Sequence, residues 1–167
     1  MTTAKHAVER VHPPDLLMKA VNPLMRALAK RAAAVQNFVL VLHYQGRRTG
    51  RHFDLPVGYR LVDGRILLFS NSTWRHNFRG GREIEVTYRG QRQTAKATLI
   101  SDAQVVADVY ERLYAELDKA RVRRELGVRV NVDRAPTREE WLNVIERAGM
   151  AIVEVTLRDG DVANPHS

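Results

Sequence analysis

Apolar positions change period along the chain, and each change marks a new element. From Asp15 to Gln36, Leu16, Leu17, Ala20, Val21, Leu24 and Leu28 recur at helical spacing, with Lys19, Arg26, Lys30 and Arg31 among the polar positions. Pro23 starts or kinks a helix there. An amphipathic segment of this kind packs on its own domain or lies along a membrane surface, and packing is the expected role. The run Phe38-Val39-Leu40-Val41-Leu42-His43-Tyr44 is short, apolar and β-branched, which predicts a buried strand. Gly46 to Gly50 forms a basic turn, and Phe53 to Leu61 is a second strand in which Pro56 marks an edge or a bulge. Asp63-Gly64 between apolar runs is a hairpin signal. Glu83 to Arg89 alternates, with Ile84, Val86 and Tyr88 opposite Glu83, Glu85 and Thr87, and Gln93 to Ile100 is a further strand.

Helical spacing returns at Ala103 to Leu126, where Val105, Val106, Val109, Leu113 and Leu117 form a stripe behind a Ser101-Asp102 cap. Thr137-Arg138-Glu139-Glu140 is a capping box that opens a second helix ending near Gly149. Ala151 to Leu157 is the last strand. The predicted organisation is a flexible lead-in over 1–14, a single domain over 15–158 with an N-terminal helix and two helices before the last strand, and a disordered tail over 159–167. Hairpins followed by two helices and a returning strand predict a mainly β, α+β fold: an antiparallel barrel with helices flanking it.

Composition narrows the function. The chain has 167 residues and no cysteine, which excludes disulfides, thiolate metal sites and cysteine nucleophiles. No apolar run approaches the roughly 20 residues of a membrane-spanning helix, and the N-terminus lacks a signal-like core, so a cytoplasmic location is the default expectation. The 27 lysines and arginines outnumber 19 acidic residues, a net charge of +8 that predicts an anionic partner. Specific nucleic-acid binding is not expected, because no such module is present and the arginines gather in two loops rather than along one helix.

The first of these loops is Gly46-Arg47-Arg48-Thr49-Gly50-Arg51. Forked guanidinium donors, a hydroxyl and open backbone N–H groups between glycines suit phosphate or carboxylate oxygens; a solvated turn is the plainer alternative. The second is Asn71-Ser72-Thr73-Trp74-Arg75-His76-Asn77-Phe78-Arg79-Gly80-Gly81-Arg82. Its Trp74 and Phe78 stand at i and i+4, on one face of a helical turn, where a flat ring meets them or where they plug the barrel end. His43, His52 and His76 form no metal-ligand spacing. Tyr110 and Tyr114, also at i and i+4, pack on a core or line a substrate pocket.

The order of these motifs, including Leu55-Pro56, Asp63-Gly64-Arg65 and a strand ending at Ser70, resembles the deazaflavin-dependent nitroreductase family, related to the FMN-binding split barrels. The resemblance runs from about Phe38 to Ile100. It implies an antiparallel split β-barrel, FMN-binding-like, that holds coenzyme F-420, with FMN as the second choice. It places Arg47, Arg48, Thr49, Gly50 and Arg51 on the anionic tail, and Ser70, Asn71, Trp74 and Asn77 near the second loop. Tyr110 and Tyr114 become substrate-pocket residues. The implied reaction is hydride transfer from the reduced deazaflavin to a quinone or nitroaromatic acceptor, with no side-chain nucleophile. A homodimer, and peripheral membrane contact through the N-terminal helix, are the associated expectations. The sequence departs from the family in having only Asn71, Ser72 and Thr73 between Ser70 and Trp74, and Leu55 where the family has threonine. The rival reading, which the short loop favours, is a non-catalytic carrier of an anionic or hydrophobic small molecule.

Overall fold

The computed structural model describes residues 6–11 and 37–158, so the expected helix over 15–36 and the tail over 159–167 lie outside it. In chain order the strands are β1 (Val8–Arg10), β2 (Val39–Gln45), β3 (His52–Gly58), β4 (Arg60–Val62), β5 (Arg65–Ser70), β6 (Arg82–Tyr88) and β7 (Gln91–Ile100). A 3-10 helix, Thr73–Phe78, separates β5 from β6. Helix α1 (Ala103–Glu116), a single turn α2 (Lys119–Arg121), β8 (Val128–Val130), α3 (Arg138–Ala148) and β9 (Ala151–Leu157) follow. The described residues fall into two compact units. One takes in Ile100–Ala151 with the described N-terminal residues, and the other the described residues to Leu99 and from Ile152.

The first unit described is the sheet, seven strands in the order β3-β2-β6-β7-β9-β5-β4. The strands β3 and β4 end that order on opposite sides, yet only Tyr59 separates them in sequence. Consecutive Cα atoms are about 3.8 Å apart, so the two ends of the sheet are held together by covalent chain. The sheet must therefore curl on itself, and the fold is the mainly antiparallel, split-barrel α+β class that the motifs imply. The Tyr59 N–H donates to the Phe38 carbonyl at 2.9 Å, fixing the bend against the start of β2. Across the barrel, β4 and β5 meet in the expected hairpin, where Asp63 (φ 51°) and Gly64 (φ 74°) supply two successive positive φ values.

Strand alternation decides what faces inward. Ile84, Val86 and Tyr88 are buried while Glu83 and Glu85 are exposed, as their period requires. Leu40, Leu42 and Tyr44 from β2, Ile66 and Leu68 from β5, and Val153, Val155 and Leu157 from β9 join them in one core. Truncating a fully buried member such as Leu42 to alanine costs about 2–5 kcal/mol.

The second unit holds all the α-helices described and a two-stranded sheet. Here the structure corrects two expectations. Val8–Arg10, within the predicted lead-in, forms β1 and pairs antiparallel with β8, Val8 opposite Val130. The long helix predicted over Ala103 to Leu126 is broken. Its first part is capped as expected, by the Asp102 carboxylate on the N–H groups of Gln104 and Val105. It stops at Glu116 because Leu117 turns extended and the Asp118 carboxylate accepts from the Arg121 N–H at 2.8 Å, opening a new helical turn. Val122–Leu126 then winds as a π-helical turn. The capping box of α3 is present in full, and Gly149 ends that helix. Trp141, fully buried, lies 5.7 Å from Tyr110 and 5.8 Å from Tyr114, ring centre to ring centre.

Candidate functional site

The two basic loops, Gly46–Arg51 and Asn71–Arg82, are brought together by two hydrogen bonds. The Arg47 backbone N–H donates to Asn77 Oδ1 at 2.9 Å, and its guanidinium donates to the Arg79 carbonyl at 2.8 Å. The turn itself closes locally: Gly50 N–H to the Gly46 carbonyl at 2.8 Å, and Gly46 N–H to the Arg51 carbonyl at 2.9 Å. A side chain at Gly46 would crowd its neighbours, since a Cβ there would fall 3.0 Å from the Phe53 ring and 3.3 Å from Thr49 Oγ1. At Gly50, with φ of 67°, no described residue lies within 4 Å of the same position, which leaves the backbone open on the described side.

Beneath the loops runs a row of aromatic rings. Trp74 meets Phe78 edge to face at 6.0 Å, Phe78 meets Tyr44 at 5.2 Å, and Tyr44 stacks on Phe53 at 5.4 Å. Phe78 is fully buried, whereas Phe53 keeps 40% of its surface exposed. The row anchors the 3-10 helix to the core while leaving ring surface at one end.

The expected site residues divide by what they touch. Asn77 is committed at both ends, its Nδ2 donating to the Trp74 carbonyl at 2.8 Å. The buried Ser70 accepts from the Ser72 N–H at 2.9 Å, which closes the short loop noted in the sequence. These two and Arg47 hold the loops in place. Thr49 Oγ1 accepts from the Arg51 N–H at 3.3 Å. The guanidinium groups of Arg48 and Arg51 have no carboxylate within 4.0 Å among the described residues. Asn71 is half-buried and engaged with neighbours. Tyr110 and Tyr114 are placed by the helical unit, against Trp141; burial pushes the Tyr110 hydroxyl far above its ordinary value.

Electrostatics single out the same place. No acidic residue occurs within Gly46–Arg51 or Asn71–Arg82, and Arg82 adds its guanidinium to the Gln45 carbonyl at 2.8 Å. Burial, then Arg75 and Arg79, hold the His76 imidazole below its ordinary value, so it is neutral at neutral pH. Burial and Arg79 likewise lower Arg75. Nδ1 of His76 is buried and has no hydrogen-bond partner among the described residues. Crowded cations without a counter-ion among the described residues, together with the His76 ring nitrogen, form a donor set for an anion. The sequence had flagged both loops; it carried no sign of Phe53, which lies in an otherwise ordinary strand.

The family model described as F420H(2)-dependent quinone reductase matches residues 20–133, more than half of the chain. No curated protein matches it. No helix among the described residues is long and apolar enough to cross a membrane.

Proposed function

Because the chain belongs to the F420H(2)-dependent quinone reductase family, we propose that it is a deazaflavin-dependent oxidoreductase whose cofactor lies at the joined basic loops. The observation that carries this reading is the Arg47–Asn77 hydrogen bond, which ties the guanidinium-bearing turn to the element bearing Trp74. The residues present fit the group. Arg48 and Arg51 would hold the phosphate tail with charge-assisted hydrogen bonds, and the open backbone at Gly50 admits close approach. Trp74 and the exposed part of Phe53 offer ring surface, and the neutral His76 offers a hydrogen bond that does not add to the local positive charge. The reduced deazaflavin, when bound, supplies a hydride to the acceptor. The protein binds, orients and shields; none of these roles needs a nucleophile.

The family points to a quinone as acceptor, and a nitroaromatic is the second class to test. FMN has no support from the family and is not proposed. A carrier function has one observation in its favour: Ser70 and Asn77 are used internally, which leaves fewer polar groups for a ligand. The two readings part in one experiment. Coenzyme F-420 is titrated against the protein, and its reduced form is then mixed with protein and a naphthoquinone or nitroaromatic. Micromolar or tighter binding with acceptor-dependent loss of reduced-deazaflavin absorbance supports the oxidoreductase. Binding without turnover across the panel supports the carrier, and no binding refutes both.

A further inference from the structure

Three neighbouring strands place a threonine, a histidine and an aspartate in a line that the proposed redox reaction does not use. His43 on β2 stands directly opposite Asp54 on β3, and Nδ1 lies 2.6 Å from Asp54 Oδ1. On the other side of the ring, Nε2 lies 2.7 Å from Thr87 Oγ1 on β6. The His43 side chain is 6% exposed and that of Asp54 is 49% exposed, while Thr87 is half-buried. All three side chains project from the sheet face opposite the Leu42, Tyr44 and Val86 core.

For a neutral His43 ring, the chemistry of the three groups settles the direction of both bonds. An ionised carboxylate only accepts, so Nδ1 carries the ring proton and donates it to Asp54. The neutral ring then presents a lone pair at Nε2, and the Thr87 O–H donates to it. A hydroxyl bonded to an imidazole that a carboxylate holds in one tautomer is the arrangement of an activated nucleophile. Thr87 also pairs across the ladder with Arg92, whose guanidinium is held by Glu85 at 3.0 and 2.6 Å. That cation is partly neutralised by Glu85, so any stabilisation of a developing oxyanion from it is modest. The fitting substrates are therefore activated acyl donors, esters or thioesters with a good leaving group, rather than amides.

We propose that Thr87 is a site of acyl transfer, with His43 as general base and Asp54 as the group that orients it. In this step Thr87 Oγ1 bonds to the acyl carbon and its proton moves to His43 Nε2. The carbon–leaving-group bond breaks, and the departing alkoxide or thiolate takes the proton. No redox partner is required, and the step is independent of the deazaflavin reading.

The test uses the full chain with p-nitrophenyl acetate as the acyl donor. The expected result is a stoichiometric release of nitrophenolate with one acetyl group found on Thr87 by peptide mass spectrometry. Thr87→Val, nearly isosteric, should abolish the label and Thr87→Ser should restore it at that position. His43→Gln should slow acylation by ~10²-fold or more, the lower range for a positioned base. Asp54→Asn, a change at an exposed carboxylate, should slow it in a protein whose circular dichroism is unchanged. No acetylation of Thr87 in the wild type would overturn the proposal. So would equal labelling rates in wild type and Asp54→Asn, since a merely structural hydrogen-bond chain predicts that equality.

Discussion

Most arginines of the helical unit are paired with carboxylates, whereas those of the basic loops in the sheet unit are not, among the described residues. In the helical unit Arg112, Arg121, Arg124, Arg134, Arg138 and Lys119 each stand within 4.0 Å of a carboxylate. Arg138 alone bridges Asp108 at 2.6 Å and Glu111 at 2.9 Å, and also donates to the Gln104 carbonyl. In the loops Gly46–Arg51 and Asn71–Arg82, the arginines meet backbone carbonyls or nothing among the described residues. Surface ion pairs contribute little stability one by one, but they cancel the field that a charged group projects. Where cations are left without counter-ions, the field remains available to a ligand. A net charge of +8 is thus not spread evenly in effect; it acts where pairing is missing.

The comparison is tested most severely by the largest expected effect. Trp141→Ala removes the ring on which Tyr110 and Tyr114 pack, and should cost about 3–5 kcal/mol of stability. Thermal unfolding should show the loss, while the folded protein binds coenzyme F-420 as before. An equal loss of affinity would mean that the helical unit serves the ligand after all. Next in size, Arg48→Ala and Arg51→Ala should each weaken coenzyme binding by about 1.5–3 kcal/mol for each charged hydrogen bond lost. Calorimetric titration at two salt concentrations should also show weaker salt dependence, with melting temperature little changed. Arg138→Ala is the control: stability should fall and affinity should not.

Asn77→Ala sharpens the comparison from inside the site. It unties Arg47 from the 3-10 helix and leaves the Trp74 carbonyl without its side-chain donor, at about 0.5–1.5 kcal/mol per hydrogen bond. Because Asn77 positions the loops, affinity should drop even though its own polar atoms are internally bound. Unchanged affinity would separate the two loops functionally. The smallest effect is a pH dependence in the helical unit. Arg134 and the Thr137 N–H hold the Glu140 carboxyl down to about 2, from an ordinary 4.5. A depressed carboxyl contributes stability that is present above 4.5 and is lost as pH falls through about 2. Urea unfolding over that window should show a shallower decline in Arg134→Ala, while Arg48→Ala keeps the wild-type slope.

Much of this was legible before any fold was known, because the signals were local. Asp63-Gly64 encodes its turn through two positive φ values, and Thr137 with Glu140 encodes a helix start through bonds three residues apart. The alternation of β6 needs only its own period. The basic loops were recognisable from composition, and their order from a family resemblance.

What the sequence by itself determined, then, were the elements whose causes lie within a few residues: caps, turns, strand period and the grouping of charge. The tertiary structure decided the rest. Val8–Arg10 is a strand only because Val128–Val130 lies beside it, a partner with no trace in the local pattern. The break after Glu116 is different, a local signal that the helical period masks, since the Asp118 carboxylate caps the Arg121 N–H three residues on. The Arg47–Asn77 tie joins residues thirty apart, and the His43 line exists only in the register that sets Asp54 opposite it and Thr87 within reach. The physical reason is common to the strand, the loop tie and the His43 line. Each rests on which hydrogen-bonding groups face one another once competing strand registers and loop conformations have been resolved by burial of the core, and that outcome belongs to the whole chain rather than to any segment.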